Sequence, residues 1–347
     1  MIRKTLFIIV CFCTIYGFAQ DAQLSQFYEA DLLLNPALTG SKYRNRFVFH
    51  DRIQWPGTDG VYLNSFLSFD KYFAKKKLGV GTYIEYDQQG RNILSMFRWQ
   101  ILASYEIDLS DKWAIKLGLD AGFYTKRLDD SGLIYPEQVS AEGISSNFDE
   151  RIGEQSYSHP DIGTGFLLYN ENFWFGSAFS HINSQSQNFL EGAGAFPFRY
   201  NLIMGYKINL YHTNPTLFTG HIKDFYLFPS IHYKMQGKSD QFEIGSHLIN
   251  EQFKMGLYYR GIPFKKEEEH LHNNESLIVI LGWKMRHWEF SYSYDIVFSE
   301  LSPARTRGAH ELLISFVFPL EPKHKIYKKR LPCPDFNKST KRHAGHF

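Results

Sequence analysis

Lys112-Trp113-Ala114-Ile115-Lys116-Leu117-Gly118-Leu119-Asp120-Ala121-Gly122-Phe123-Tyr124-Thr125-Lys126 is the stretch that decides the fold. Trp113, Ile115, Leu117, Leu119, Ala121 and Phe123 alternate with Ala114, Lys116, Gly118, Asp120, Gly122 and Tyr124, which puts one set on each face of an extended strand. Just upstream, Ile93, Phe97, Trp99, Ile101, Ala103, Tyr105 and Ile107 share one face while Arg98, Gln100, Ser104 and Glu106 share the other. Asp108-Leu109-Ser110-Asp111 between them supplies the tight turn of a hairpin. An Arg or Lys turned toward mid-bilayer costs about 2–4 kcal/mol. If the apolar face meets lipid, Arg98, Lys116 and Asp120 are therefore expected on an inner, lumenal face.

Extending this reading outward predicts strands near 44–54, 61–71, 77–87, 93–107, 112–126, 160–170, 173–183, 198–210, 224–234, 239–249, 252–262, 275–285, 287–298 and 308–318. These fourteen segments predict an all-β fold, a transmembrane antiparallel β-barrel over residues 42–319 with the even strand number usual for the class. The connections after strands 2, 4, 6, 10 and 12 are short and those after 5, 7, 11 and 13 longer, the asymmetry of periplasmic turns and extracellular loops. Two connections break the alternation: Tyr211–Lys223 is long where a short one belongs, and Met235–Lys238 is the reverse.

Composition agrees. Aromatic residues make up 17% of the chain and hydrophobic ones 44%, without any apolar run past residue 20 that reaches the ~20 residues of a spanning helix. Arg3 and Lys4 precede an apolar stretch from Leu6 to Tyr16, and Gly17-Phe18-Ala19 offers small residues to a signal peptidase, so residues 1–19 are expected to be a cleaved signal peptide of an outer-membrane protein. Cys11 and Cys13 fall inside that segment, leaving Cys333 with no partner for an internal disulfide. Removing Arg3 and Lys4 takes Lys+Arg from 38 to 36, equal to the 36 Asp+Glu, a balance that argues against nucleic acid as a partner.

Residues 20–41 lack a period of two but carry Phe27, Tyr28, Leu32, Leu33 and Leu34. A fourteen-stranded barrel encloses more space than its own side chains fill. This segment is expected either to enter the lumen as a partial plug or to form a short helix capping the periplasmic mouth. The loop near 127–159, rich in Asp, Glu, Ser and Gly, reads as extracellular, either a partner surface or a solvated loop. Residues 320–347 form a basic extension expected in the periplasm, where Lys328, Lys329 and Arg330 are candidate contacts for a partner; a solvated tail is the other reading.

Several motifs resemble the PorP/SprF family of outer-membrane proteins attached to type IX secretion and gliding motility. They are Gln26-Phe27-Tyr28, Leu34-Asn35-Pro36-Ala37 and Gly40-Ser41; Arg52 with Gln54-Trp55-Pro56-Gly57; Asp161-Ile162-Gly163-Thr164-Gly165-Phe166 leading to Phe173-Trp174-Phe175-Gly176; and Ser293-Tyr294-Asp295 followed by Gly308-Ala309-His310-Glu311-Leu312-Leu313-Ile314-Ser315. The resemblance runs over almost the whole mature chain. It marks Asn35, Pro36, Gly40, Trp55, Pro56, Trp174, Gly176, Ser293, Tyr294, Asp295, His310 and Glu311 as family-motif positions. It implies an accessory component that helps export or hold a large cell-surface protein, often through that protein's C-terminal secretion domain, or that binds other parts of the export machinery. A passive channel for small or apolar solutes is the alternative.

No catalytic, cofactor or metal set is expected. His270-Leu271-His272 beside Glu267-Glu268-Glu269 falls short of a closed ligand set. Ser293 and Asp295 share a strand face with His310 on the neighbouring strand, but no nucleophile elbow accompanies them. Gly79-Val80-Gly81 and Gly192-Ala193-Gly194 lack the strand-to-helix setting of a phosphate cradle and read as relief of crowding and a loose loop.

Overall fold

In a computed structural model the described residues are 21–318, apart from 43, 59, 91, 132, 134–137, 141–142, 145–153, 184–196, 211–224, 251, 269–270 and 299–305, and without the side chains of 140, 143–144 and 263–274. The expected signal peptide, the basic extension with Lys328, Lys329 and Arg330, the Gly192-Ala193-Gly194 loop and the side chains of the Glu267–His272 cluster lie outside them.

The chain forms a closed antiparallel barrel of fourteen strands. They are β1 (Arg46–Gln54), β2 (Tyr62–Phe73), β3 (Leu78–Gln89), β4 (Leu94–Asp108), β5 (Ala114–Leu128), β6 (Gln155–Tyr169) and β7 (Phe173–Ser180). After these come β8 (Arg199–Tyr206, continued past Lys207 by Ile208–Leu210), β9 (Phe225–Gln236), β10 (Ser239–Ile249), β11 (Phe253–Glu268), β12 (Leu271–Met285), β13 (Trp288–Val297) and β14 (Ala309–Val317). Each strand pairs with its neighbours in sequence, and β14 closes the barrel on β1 from Arg46↔Val317 to Gln54↔Ala309.

The differences from the sequence reading lie at strand ends. β6 starts at Gln155 rather than near 160 because Gln155–Pro160 pairs with Phe123–Leu128, so the long loop shrinks to 129–154. β11 and β12 rise to Glu268 and Leu271, and β7 stops at Ser180 where His181 takes a positive φ of 60°. Of the two irregular connections, Tyr211–Lys223 lies outside the described residues, while at the other Gly237, at φ 62°, and Lys238 join β9 to β10 in a two-residue turn, with Gln236↔Ser239 as the last pair.

Burial alternates as the bilayer demands. Arg98, Gln100, Lys116 and Asp120 are buried on the inner face, while Ile101, Tyr105, Leu117 and Leu119 are exposed on the outer one. The 129–154 and 181–198 connections share one end of the barrel, the end that the long-loop asymmetry of such barrels assigns to the outer side, and Arg46 and Val317 lie at the other.

Residues 21–42 lie inside this wall, nearly all buried. Asp31–Leu34 forms one helical turn, α1, and Pro36–Leu38 a 3-10 turn whose first N–H, that of Ala37, donates to the Asn35 side-chain oxygen at 2.9 Å. Strand glycines make room for this backbone: a Cβ on Gly118 would stand 2.1 Å from the Ala37 nitrogen, and one on Gly79 2.2 Å from the Thr39 carbonyl oxygen.

Candidate functional site: the lumen and its occupant

Residues 21–42 run the length of the lumen. Asp21 is held where strands meet the outer mouth, by Arg98 at 2.9 Å, by Arg199 at 2.7 Å and by His181 at 2.9 Å. Arg199 opens β8 and His181 directly follows β7, so both belong to that end. His181 is fixed in turn by Asp161 at 2.8 Å, which also accepts from Gln100 at 2.6 Å. Near the inner end, the Thr39 carbonyl accepts from Ser104 at 2.7 Å and Lys116 at 2.8 Å.

Between these ends the grip is continuous. Glu311 accepts the backbone N–H of Ser25 at 2.6 Å and of Gln26 at 3.0 Å, while Ser25 donates its hydroxyl to Asp295 at 2.7 Å. Asp295 also binds Arg52 at 2.9 Å and Arg260 at 3.0 Å, and Arg260 binds Glu243 at 2.5 Å. Lys254 meets Glu29 at 2.9 Å and Glu289 at 2.6 Å; Arg46 meets Asp31 at 2.7 Å and Asp70 at 3.2 Å. Each of the segment's acidic side chains, Asp21, Glu29 and Asp31, thus faces a wall cation. Buried charges that lost such a partner would be strongly destabilising.

The apolar side of the segment is packed as closely. Phe27, Tyr28, Leu34, Ala37 and Leu38 form one core with Trp174, Ile203, Phe228, Tyr258, Ile278 and Ile280 of the wall. A cleft of about 40 Å³ remains beside β8 and β9, lined by Ala22, Leu24, Leu33, Asn201, His232 and Lys234 among others. That is room for ordered water rather than for a solute.

Most of the family-motif positions converge on this contact. Asn35 donates to the carbonyls of Phe166 at 3.0 Å and Ser177 at 3.2 Å, clamping Pro36 and its 3-10 turn to β6 and β7. A Cβ on Gly165 would come 2.2 Å from its Oδ1, and one on Gly176 3.1 Å from its Nδ2. Gly40, at φ 69°, passes so close to Gly79 that a Cβ would meet the neighbouring Cα at 2.9 Å. Trp174 is buried in the shared core, and Ser293, Asp295 and Glu311 face the lumen. Other positions lie elsewhere: Tyr294 and His310 point outward, while Trp55 and Pro56 turn the chain at the outer mouth, where the Trp55 N–H donates to Gly308 at 2.8 Å. Ser293 and Asp295 are consequently on the opposite side of the sheet from His310, whose Nδ1 is 2.6 Å from the Tyr292 hydroxyl, and the three do not converge.

Arg46, His181, Arg199, Glu243, Lys254 and Arg260 were not singled out by the sequence. The available signal was charge on the polar face of strands whose other face is apolar, together with an N-terminal segment carrying the complementary sign.

A family model described as type IX secretion system membrane protein PorP/SprF matches residues 17–316. No curated protein matches the chain. Among solved structures, the chain is similar to a KdgM porin (10% identity, 79% of this chain and 99% of that one, TM-score 0.35). It is also similar to a Rh. blastica porin mutant (8%, 79% and 99%, TM-score 0.32) and to BamA from Haemophilus ducreyi lacking POTRA domains 1–3 (10%, 79% and 70%, TM-score 0.37).

Proposed function

We propose a role that starts from what the chain is: it belongs to the PorP/SprF family of type IX secretion system membrane proteins and stands in the outer membrane as a closed barrel. On that premise it works by binding, helping to export or anchor a large cell-surface protein by holding that protein, or another part of the export machinery, and carries no enzymatic step. The observation that supports this reading is the lumen itself, threaded by residues 21–42 whose three carboxylates are each paired with a wall cation. A pore meant to pass solutes gains nothing from such a filling, and the channel alternative draws no support from it.

In this reading residues 1–19 direct export and are removed, residues 20–41 act as a fixed plug, and the extracellular loops or the basic segment around Lys328, Lys329 and Arg330 meet the partner. Affinity capture of the full-length chain from detergent-solubilised outer membranes tests it. Stoichiometric recovery of a large surface protein or of another secretion component is the expected result. Recovery of the barrel alone, in a detergent that preserves such complexes, would refute it.

A further inference from the structure

The outer wall carries a carboxyl group at the depth of the hydrocarbon. Along β13, β14, β1 and β2 the outward side chains form rows in register. The innermost is Trp288, Phe316, Phe47 and Phe69, with Trp288 and Phe316 in ring contact at 4.6 Å. Above it come Phe290, Ile314, Phe49 and Leu67, then Tyr292, Leu312, Asp51 and Ser65, then Tyr294, His310, Ile53 and Leu63.

Each row adds roughly 5 Å of height in a strand tilted by about 40°. Asp51 therefore stands about 10 Å above the inner aromatic row and about 10 Å below Trp55, near the middle of an apolar band about 25 Å tall. Its Oδ1 accepts from the Ser65 hydroxyl at 2.6 Å, and no cation pairs with it among the described residues. Other outward charges, Lys71, Arg127 and Asp240, stand next to the ends of their strands, where headgroups and water can meet them.

An ionisable side chain at mid-membrane is expensive and marks a place where something other than lipid is met. We propose that the β13–β14–β1–β2 wall is a lateral interface, packed within the bilayer against a different membrane protein that presents a lysine or arginine to Asp51. A second copy of this chain offers no outward lysine or arginine at that depth among its described side chains, Lys71 and Arg127 standing near strand ends, so the partner that answers Asp51 is a different protein. The hydrogen-bonded Tyr292 and His310 extend the same face with groups able to join the contact. This inference does not depend on which protein is exported, since the carboxyl faces outward whatever the barrel serves.

Site-specific photo-cross-linking of the full-length chain in native outer membranes tests it, with a photoreactive residue at Leu312, beside Asp51, or at the outward Leu257 on β11, outside the patch and separated from it by β12, as control. The Leu312 probe is expected to give a protein adduct whose yield falls about tenfold with Asp51→Leu, the loss of one charge-assisted contact, and returns with Asp51→Glu. The Leu257 probe is expected to give no adduct that responds to Asp51. Asp51→Leu places an apolar chain against lipid and should leave the barrel folded, as heat-modifiable gel migration reports; Asp51→Asn serves as a second, isosteric variant. Lipid adducts alone at Leu312, or a protein adduct whose yield in Asp51→Leu and Asp51→Asn equals that of the parent, would overturn the proposal.

Discussion

Replacing Glu311 by alanine should loosen the N-terminal segment more than any other single change on the lumen wall. The carboxylate accepts two backbone N–H groups, from Ser25 and Gln26, and lies 3.5 Å from Arg52 and 3.2 Å from His50. Truncation leaves two buried donors without an acceptor, at about 1–3 kcal/mol each. It also removes one of the two carboxylates that Arg52 shares, the other being Asp295. Breaking a buried pair from one side costs about 3–5 kcal/mol, and the two estimates overlap. At 1.36 kcal/mol per decade, the released population should rise by roughly two to three and a half orders of magnitude.

The assay is the labelling rate of Ala30→Cys, a buried position, by a membrane-impermeant maleimide in a Cys333→Ser background. Glu311→Ala should label at least about a hundred times faster than the parent. Glu311→Gln, which keeps one carbonyl oxygen for one of the two N–H groups, should fall between. Equal labelling rates in Glu311→Ala and the parent, in a barrel that still migrates as folded, would refute the reasoning.

Three further outcomes follow from the same packing. Gly118→Val should expel the Pro36–Ala37 turn, because its Cβ would stand 2.3 Å from the Pro36 carbonyl carbon; Gly60→Val, with nothing within 4 Å of the added carbon, should be silent, and conductance in planar bilayers separates the two. Asn35→Ala removes a cap and two clamps to β6 and β7, and should lower the stability of the docked segment by about 2–4 kcal/mol in urea titrations followed by the same Ala30→Cys labelling. Leu119→Arg, on the lipid face, should cost about 2–4 kcal/mol of folding free energy in vesicles, measured by urea-dependent gel migration, whereas Leu119→Phe should be nearly neutral.

The barrel was legible wherever one face met lipid and the other met charge. β4 and β5 read cleanly because Ile101, Leu117 and Leu119 alternate with Gln100, Lys116 and Asp120. The alternation fades in β9, where Phe225, Tyr226, Leu227 and Phe228 are all apolar: Tyr226 and Phe228 face inward against the segment's apolar core, so both faces of the strand are dry. β12 blurs for the same reason, with Ile278 and Ile280 turned onto Tyr28 and its neighbours. What no local pattern could supply was the pairing of Asp21 with Arg98 and Arg199, or of Glu29 with Lys254, since these partners are separated by tens to hundreds of residues and meet only once the barrel closes. The glycines were visible but their purpose was not. Gly79 and Gly165 relieve crowding, as a reading of the sequence alone anticipates for Gly79, yet what they make way for is the backbone of Thr39 and the side chain of Asn35.

Single-channel recording of the full-length chain in planar bilayers tests the central claim, that the lumen is closed by the protein's own N-terminal segment, most directly. The wild-type chain is expected to leave the membrane at its bare baseline, with conductance steps appearing only when Glu311→Ala or Gly118→Val loosens residues 21–42. A steady open current from the wild-type protein alone, without any partner, would contradict the account.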